Sequence, residues 1–108
     1  MRRGTIVSVA LGGDLGKPRP ALIIQSELAF DITTSFVVLP ITSTLVPSPL
    51  LRVHVMPTAQ NGLRHPSQIM VDKISTAPRA KVGGIIGQLE DDALSAAIRN
   101  LLTLIGAS

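Results

Sequence analysis

The feature that most constrains this chain is an aliphatic run preceded by two prolines that bracket an arginine. The run is Ala21-Leu22-Ile23-Ile24, and the bracket is Pro18-Arg19-Pro20. A continuous run of this kind predicts a strand that is buried on both faces, or nearly so. Because proline pushes the residue before it toward extended backbone, Pro20 holds Arg19 extended at the mouth of that strand.

An arginine on stiffened backbone loses less entropy when it meets an anion than an arginine on a loose loop. Arg19 is therefore a candidate anion-binding residue. The same pattern is equally typical of the start of an edge strand whose arginine is solvated, and the residues alone leave both interpretations open.

The composition fits one small domain with an aliphatic core. The chain has 108 residues, 45% of them hydrophobic, and Phe30 and Phe36 are its only aromatic residues. A chain of this length supports one modest core, so residues 1–108 are expected to form a single domain. So few aromatic side chains argue against the base-stacking surfaces that many single-strand binders use.

Cysteine usage and hydropathy predict a cytoplasmic protein that makes no membrane contact. The chain contains no cysteine, which fits a reducing compartment. No apolar run approaches the ~20 residues that a membrane span requires. Arg2-Arg3 resembles a twin-arginine signal, but no continuous apolar segment follows, so the chain is expected to be mature from its first residue.

Charge is distributed unevenly along the chain. Residues 1–83 carry nine Lys or Arg against four Asp or Glu, whereas residues 84–108 carry one Arg against three acids. A basic body with an acidic final segment suits an anionic partner on the body. The total of +3 is also ordinary for a soluble domain, so charge alone does not identify that partner.

Hydrophobic alternation and turn signals predict about six short strands. They cover residues 5–11, 21–25, 36–39, 51–56, 68–74 and 85–89. Residues 26–35 are predicted to form a loop or short helical turn, and Asn61-Gly62 is the strongest turn signal. Pro40 is expected to stop the third strand from pairing as a central strand.

The C-terminal segment has helical rather than strand periodicity. Apolar residues recur at helical spacing at Leu94, Ala97, Ile98, Leu101, Leu102 and Ile105. Glu90 or Asp91 is the expected N-cap, and Gly106 suits the position after the last turn. The predicted fold is mainly β (α+β): a small curled antiparallel sheet or partly open barrel of about six strands with a C-terminal helix.

The residues available for chemistry are a guanidinium and hydroxyls. His54, His65 and the scattered carboxylates lack metal-ligand spacing, and neither a Gly-x-Ser-x-Gly elbow nor a phosphate-binding glycine loop is present. Arg19 and the hydroxyls of residues 42–44 would meet at one sheet end if the second and third strands were antiparallel neighbours. Turn capping is the more usual role of such hydroxyls.

A guanidinium fork suits a phosphodiester because its paired donors reach the non-bridging oxygens and stabilise charge that develops there. RNA carries its own nucleophile, the 2′-hydroxyl. A site built from Arg19 and a threonine would therefore need neither a metal nor a covalent residue.

Five stretches together resemble the MazF/PemK family of toxins from type II toxin–antitoxin systems. They are Arg3-Gly4, Arg19-Pro20-Ala21-Leu22-Ile23-Ile24-Gln25, Leu39-Pro40-Ile41-Thr42-Ser43-Thr44, the segment 66–76 and the segment 86–91 before the helix. The resemblance implies the CcdB/PemK-like toxin barrel. It also implies an mRNA interferase: a metal-independent, sequence-selective endoribonuclease that cleaves single-stranded RNA to 2′,3′-cyclic phosphate and 5′-hydroxyl ends, with no cofactor.

The resemblance also implies residue roles and partners. Arg19 matches the family's acid–base and phosphate-stabilising arginine, and Thr42 matches the threonine that positions or activates the attacking hydroxyl. The implied assembly is a homodimer that inhibits growth, with RNA across a shared groove into which a cognate antitoxin inserts a disordered acidic tail. The expected RNA-binding residues are Lys17, Ser43, Thr44, His65, Ser67 and Gln68.

Departures from the family pattern limit what is carried over. Thr5 stands where many members have aspartate, and the loop before Arg19 is short, so the cleavage sequence is not predicted. His54 is expected to be a surface residue on a polar strand face.

Two rival functions remain. A CcdB-type toxin poisons gyrase through residues near the end of its last helix, but this chain ends Leu104-Ile105-Gly106-Ala107-Ser108 without tryptophan. A non-catalytic relative that binds RNA or a partner protein is the other, and intact Arg19 and Thr42 weigh against it.

Overall fold

Seven antiparallel strands and one C-terminal helix form the computed structural model, which describes residues 1–10 and 17–107. The strands are β1 (Thr5–Val9), β2 (Arg19–Ile23), β3 (Ser35–Thr42), β4 (Arg52–Val55), β5 (Ser67–Met70), β6 (Ser75–Pro78) and β7 (Val82–Gln88). The helix α1 spans Asp91–Leu104, and short 3₁₀ turns cover Glu27–Ala29, Val71–Lys73 and Arg79–Lys81. The predicted mainly β fold with a terminal helix is confirmed.

The sheet is organised around β3. Its strand order is β4-β5-β3-β2-β1-β7, and β6 also pairs with β3. β3 pairs with β6 through residues 35–38 and with β5 through Ile41 and Thr42. Different parts of one long strand thus join two parts of the sheet, which bends around β3.

Apolar side chains fill both faces of the central strands. Leu22 belongs to the cluster that packs against α1, whereas Ala21 and Ile23 belong to a second cluster on the opposite face. All three are at most 1% exposed. The prediction of a strand buried on both faces is confirmed. Arg19 is therefore the first residue of a strand that is anchored in the core.

The C-terminal helix covers the first of these clusters with only part of its apolar stripe. Leu94, Ala97 and Leu101 pack against the cluster, whereas Leu102 and Ile105 are 37% and 64% exposed. Within the described residues no helix has the length and apolarity needed to cross a bilayer.

The prediction of one strand over residues 68–74 is wrong. β5 ends at Met70, the chain makes a 3₁₀ turn over Val71–Lys73, and Ser75–Pro78 forms the separate strand β6. Val71 is fully buried inside that turn, so the apolar alternation continues while the backbone changes direction. The described chain therefore has seven strands rather than about six, and β7 begins at Val82, three residues before the predicted strand.

The expectation that Pro40 excludes a central strand is also wrong. Pro40 lies inside β3 opposite Ala21 of β2. On the other edge of β3, pairing with β6 ends at Val38 and pairing with β5 begins at Ile41. A residue without an N–H is tolerated there because it falls where the strand changes neighbours.

The first predicted strand is shorter than expected within the described residues, where β1 spans Thr5–Val9. Leu11, the last residue of the predicted strand, lies outside the described residues. Residues 26–35 contain the predicted helical turn, and the Ser26 hydroxyl accepts the N–H of Leu28 at its start.

Candidate functional site

An open groove of about 1090 Å³ brings most of the predicted site residues together. The predicted residues that line it are Arg19, Thr42, Ser43, Thr44, His65 and Ser67. Others along it are Ser8, Pro18, Pro20, Pro40, Ile41, Gly62, Leu63, Arg64, Met70 and Ile86. None of these described lining residues carries a carboxylate, so the groove suits an anion better than a cation.

Sheet register explains why Arg19 and Thr42 share this groove. β2 and β3 are antiparallel neighbours, with Ala21 opposite Pro40. Arg19, the first residue of β2, precedes Ala21 by two residues, and Thr42, the last residue of β3, follows Pro40 by two, so both lie at the same end of the two strands. The antiparallel neighbourhood on which the sequence argument depended is therefore observed, and both side chains line the groove.

Thr42 lines the groove, and its hydroxyl also accepts a hydrogen bond from the backbone. Its Oγ1 accepts the backbone N–H of Thr44 at 3.1 Å, which is the turn-capping role considered as the alternative. A hydroxyl that accepts one hydrogen bond still has its own proton to donate. Capping and substrate contact are thus compatible at this residue.

The loop between β4 and β5 supplies another wall of the groove. It contributes Gly62, Leu63, Arg64 and His65 to the groove, and Ser67, the first residue of β5, follows them. Arg64 and His65 are exposed, whereas Leu63 is buried in the core. Ser67 donates its hydroxyl to the carbonyl oxygen of His65 at 2.7 Å. This hydrogen bond fixes the backbone of the wall at His65.

Arg64 is the groove cation that sequence reasoning missed. It follows the Asn61-Gly62 turn by two residues, but no sequence pattern shows that this segment lines the same groove as Arg19. The pairing of β5 with β3 brings the loop there.

Gln68 and Lys17 are the two predicted RNA-binding residues that do not line the groove. Gln68 donates its Nε2 to the Val46 carbonyl at 2.9 Å and accepts the Val46 N–H on Oε1 at 3.0 Å. Its side chain is 9% exposed and is not among those that line the groove. Lys17 is exposed two residues before Arg19, also outside that set.

The remaining candidates for chemistry lie away from the groove. His54 is exposed, with Nε2 3.2 Å from the Met56 sulfur. Over residues 1–10 and 17–107, no three His, Asp or Glu side chains gather as a metal site would require.

Comparison with known proteins identifies the class. Residues 2–105 match the family model described as PemK-like, MazF-like toxin of type II toxin-antitoxin system. The chain belongs to this family of toxins.

Relatives and solved structures agree with that assignment. The chain is 41% identical over 107 residues to the probable endoribonuclease MazF of Mycolicibacterium smegmatis, covering 98% of this chain and 97% of the relative. It is 37% identical over 93 residues to endoribonuclease MazF3 of Mycobacterium tuberculosis, covering 83% and 87% of the two chains.

Two structures show the shared fold. Mycobacterium tuberculosis toxin MazF-mt6 superposes with a TM-score of 0.79 at 29% identity, covering 95% of this chain and 98% of its own. A mycobacterial endoribonuclease in complex with its cognate antitoxin superposes with a TM-score of 0.84, covering 100% and 97%, and at 21% identity this match concerns the fold alone. The predicted CcdB/PemK-like toxin fold is confirmed.

Proposed function

We propose that this chain is the endoribonuclease toxin of a type II toxin–antitoxin system and cleaves single-stranded messenger RNA in the groove between β2, β3 and the β4–β5 loop. The observation that carries the proposal is the shared position of Arg19 and Thr42 in a groove whose described walls hold no carboxylate. Family membership and relatives named endoribonucleases support the same activity.

The chemistry follows from a phosphodiester seated between these two side chains. The 2′-oxygen of the RNA attacks phosphorus, the bond to the 5′-oxygen breaks, and the products are a 2′,3′-cyclic phosphate and a 5′-hydroxyl. The proton lost by the 2′-hydroxyl is matched by the proton that the departing 5′-oxygen gains. Bond formation and cleavage therefore balance without a covalent enzyme intermediate.

Arg19 and Thr42 have distinct parts in this reaction. The guanidinium of Arg19 donates paired N–H groups to the non-bridging oxygens, where negative charge grows in the transition state, and it assists proton transfer. Thr42 directs its hydroxyl proton toward the attacking or phosphoryl oxygen. The backbone N–H of Thr44 donates to Thr42 Oγ1 and so holds the hydroxyl in place. Neither role requires a metal ion or a cofactor.

The remaining groove residues bind the RNA strand. Ser43, Thr44 and His65 offer hydrogen bonds along the walls, and Arg64 adds a cation facing the phosphates. Lys17 extends the basic surface beyond Arg19. Ser67 and Gln68 act mainly on the loops, Ser67 through His65 and Gln68 through Val46.

The proposed partners follow from the same surface. An antitoxin segment rich in carboxylates would compete with RNA for Arg19 and Arg64. The exposed Leu102, Leu104 and Ile105 at the end of α1 support association of two copies into a homodimer. The proposed location is the cytoplasm, where messenger RNA is available.

The test is incubation of the purified chain with a long single-stranded RNA in the presence of a chelator. The expected result is cleavage at a limited set of sequences, with 2′,3′-cyclic phosphate and 5′-hydroxyl ends identified by end-specific ligation. Intact RNA would overturn the proposal. Inhibition of gyrase supercoiling by the same preparation would then favour the CcdB-type rival, and RNA binding without cleavage would favour the non-catalytic relative.

A further inference from the structure

A polar network lies behind the groove, where the β4–β5 loop meets the start of α1. At its centre is Asn61, which is 0% exposed. Its Oδ1 accepts the N–H groups of Thr58 and Leu63 at 3.1 and 3.0 Å, and its Nδ2 donates to the Met56 carbonyl at 2.9 Å and to Glu90 Oε1 at 3.0 Å. Every hydrogen-bonding position of this amide is therefore used.

Glu90 completes the network from the helix. It is the N-cap residue of α1, yet its side chain makes no capping hydrogen bond to that helix. Its two carboxylate oxygens instead accept from Thr58 Oγ1 at 2.6 Å and from Asn61 Nδ2. The hydrogen bond from Thr58, with a smaller contribution from Asn61, holds the pKa of Glu90 below its ordinary value.

The backbone of the loop lies directly against the end of β7. A Cβ on Gly62, whose φ is +70°, would lie 2.2 Å from the Ile86 carbonyl oxygen. A Cβ on Gly87 would lie 2.3 Å from the Asn61 carbonyl oxygen. Two glycines thus permit a contact so close that the loop has no room to shift toward β7.

The residues that follow this contact form the groove wall. Leu63 is buried, Arg64 and His65 are exposed at the groove, and the Ser67 hydroxyl holds the His65 carbonyl. In the chain, Arg64 and His65 therefore lie between two fixed points: the Asn61 network before them and the Ser67 hydrogen bond after them.

We infer that Glu90 is a positioning residue for RNA binding: its carboxylate, through Thr58 and Asn61, determines where Arg64 and His65 meet the strand. This inference rests on the proposed function of the groove. It gives a role to an acidic side chain whose hydrogen-bond partners, Thr58 and Asn61, do not themselves line the groove. Glu90 acts through the loop and is not a catalytic residue.

The test compares Glu90→Ala with Asp91→Ala, a matched truncation of the neighbouring carboxylate. Because Glu90 does not cap α1 through its side chain, its loss removes no capping bond from the helix. Glu90→Ala is expected to raise KM for a short RNA substrate about tenfold, with a smaller change in kcat, because wall residues are misplaced before chemistry begins. Asp91→Ala is expected to keep the parent KM.

A double-mutant cycle with Arg64→Ala separates positioning from general stability. If Glu90 acts through the wall, Arg64→Ala will cost much less affinity in the Glu90→Ala background than in the parent. Equal costs in both backgrounds, or a parent-like KM for Glu90→Ala, would overturn the inference.

Amide exchange gives a second readout that needs no RNA. In Glu90→Ala, faster exchange is expected at Gly62 and Leu63, whose N–H groups bond to the Thr58 carbonyl and to Asn61 Oδ1. Unchanged exchange would overturn the inference even if KM changed. If Glu90→Ala does not fold, Thr58→Val removes the hydroxyl donor and is judged by the same criteria.

The two proposals fail in distinguishable ways. A parent that cuts no RNA overturns the proposed function. A parent that cuts RNA, together with a Glu90→Ala variant whose KM matches the parent's, overturns this inference alone.

Discussion

Arg19, the first residue of β2, and Thr42, the last residue of β3, lie at the same end of two antiparallel neighbouring strands and line one groove. The relationship arises from the antiparallel register that sets Ala21 opposite Pro40. Two buried strands therefore present a guanidinium and a hydroxyl at a common end of the sheet. Rigid strands hold such a pair more accurately than flexible loops would, which suits the proposed cleavage reaction.

Thr42→Val is expected to lower the single-turnover cleavage rate by about tenfold, because it removes the hydroxyl proton while keeping the branched shape. Thr42→Ser retains the hydroxyl and serves as the conservative control, with activity near that of the parent. The measurement is the rate at saturating enzyme. Equal rates for Thr42→Val and Thr42→Ser would remove Thr42 from the reaction.

Arg64→Ala is expected to raise KM several-fold and to reduce the dependence of RNA affinity on salt by about 0.7 in the log–log slope, since one phosphate contact is lost from a single strand. The measurement is RNA binding across a salt series. Arg99→Ala, which removes an exposed cation from α1 outside the groove, should leave that slope unchanged. A slope unaltered by Arg64→Ala would contradict the role of this wall.

Gln68→Ala is expected to reduce the free energy of unfolding by about 1–2 kcal/mol, because it leaves the N–H and carbonyl of Val46 without their side-chain partner. The β3–β4 connector that begins with Ser43 should then move, and KM should rise. Chemical denaturation and cleavage kinetics provide the two measurements. Gln60→Ala, at an exposed side chain, should change neither the unfolding free energy nor KM. If Gln68→Ala also changes neither, the connector does not depend on the Gln68 hydrogen bonds.

The network at Glu90 predicts a pH dependence of stability. Since the Thr58 hydrogen bond lowers the pKa of Glu90 in the folded state, its carboxylate stabilises the fold above its unfolded pKa, and that stabilisation is lost as pH falls through the folded pKa. The parent should exceed Glu90→Gln in unfolding free energy at neutral pH, and the difference should shrink below about pH 4. A difference that stays constant across this range in denaturation experiments would contradict the ionised network.

The shared groove position of Arg19 and Thr42 could be predicted because its cues are local. The proline-flanked Arg19 begins a continuous apolar strand, and the hydroxyls of residues 42–44 follow the next predicted strand, so the single assumption that these strands are antiparallel neighbours predicts that they meet. The position of Pro40 inside β3 could not be predicted in the same way. It depends on where β3 changes from one neighbour to another, and those neighbours are more than 25 residues away in the chain.

The roles of Arg64 and Gln68 depend on contacts of the same long-range kind. Arg64 reaches the groove because β5 pairs with β3, and Gln68 pairs with a backbone 22 residues earlier. The predicted 68–74 strand failed because buried Val71 continues the apolar alternation through a turn. Hydrophobic pattern records burial, whereas a change of backbone direction between strands is set by tertiary pairing.

The most direct test of the whole account is the single-turnover cleavage rate of Arg19→Ala, measured beside the parent and Arg99→Ala on one RNA with a chelator present. We expect a loss of roughly 100- to 1,000-fold or more for Arg19→Ala, with unchanged folding, and a parent-like rate for Arg99→Ala. If folded Arg19→Ala cuts the RNA as fast as the parent, the assignment of catalysis to this groove is contradicted.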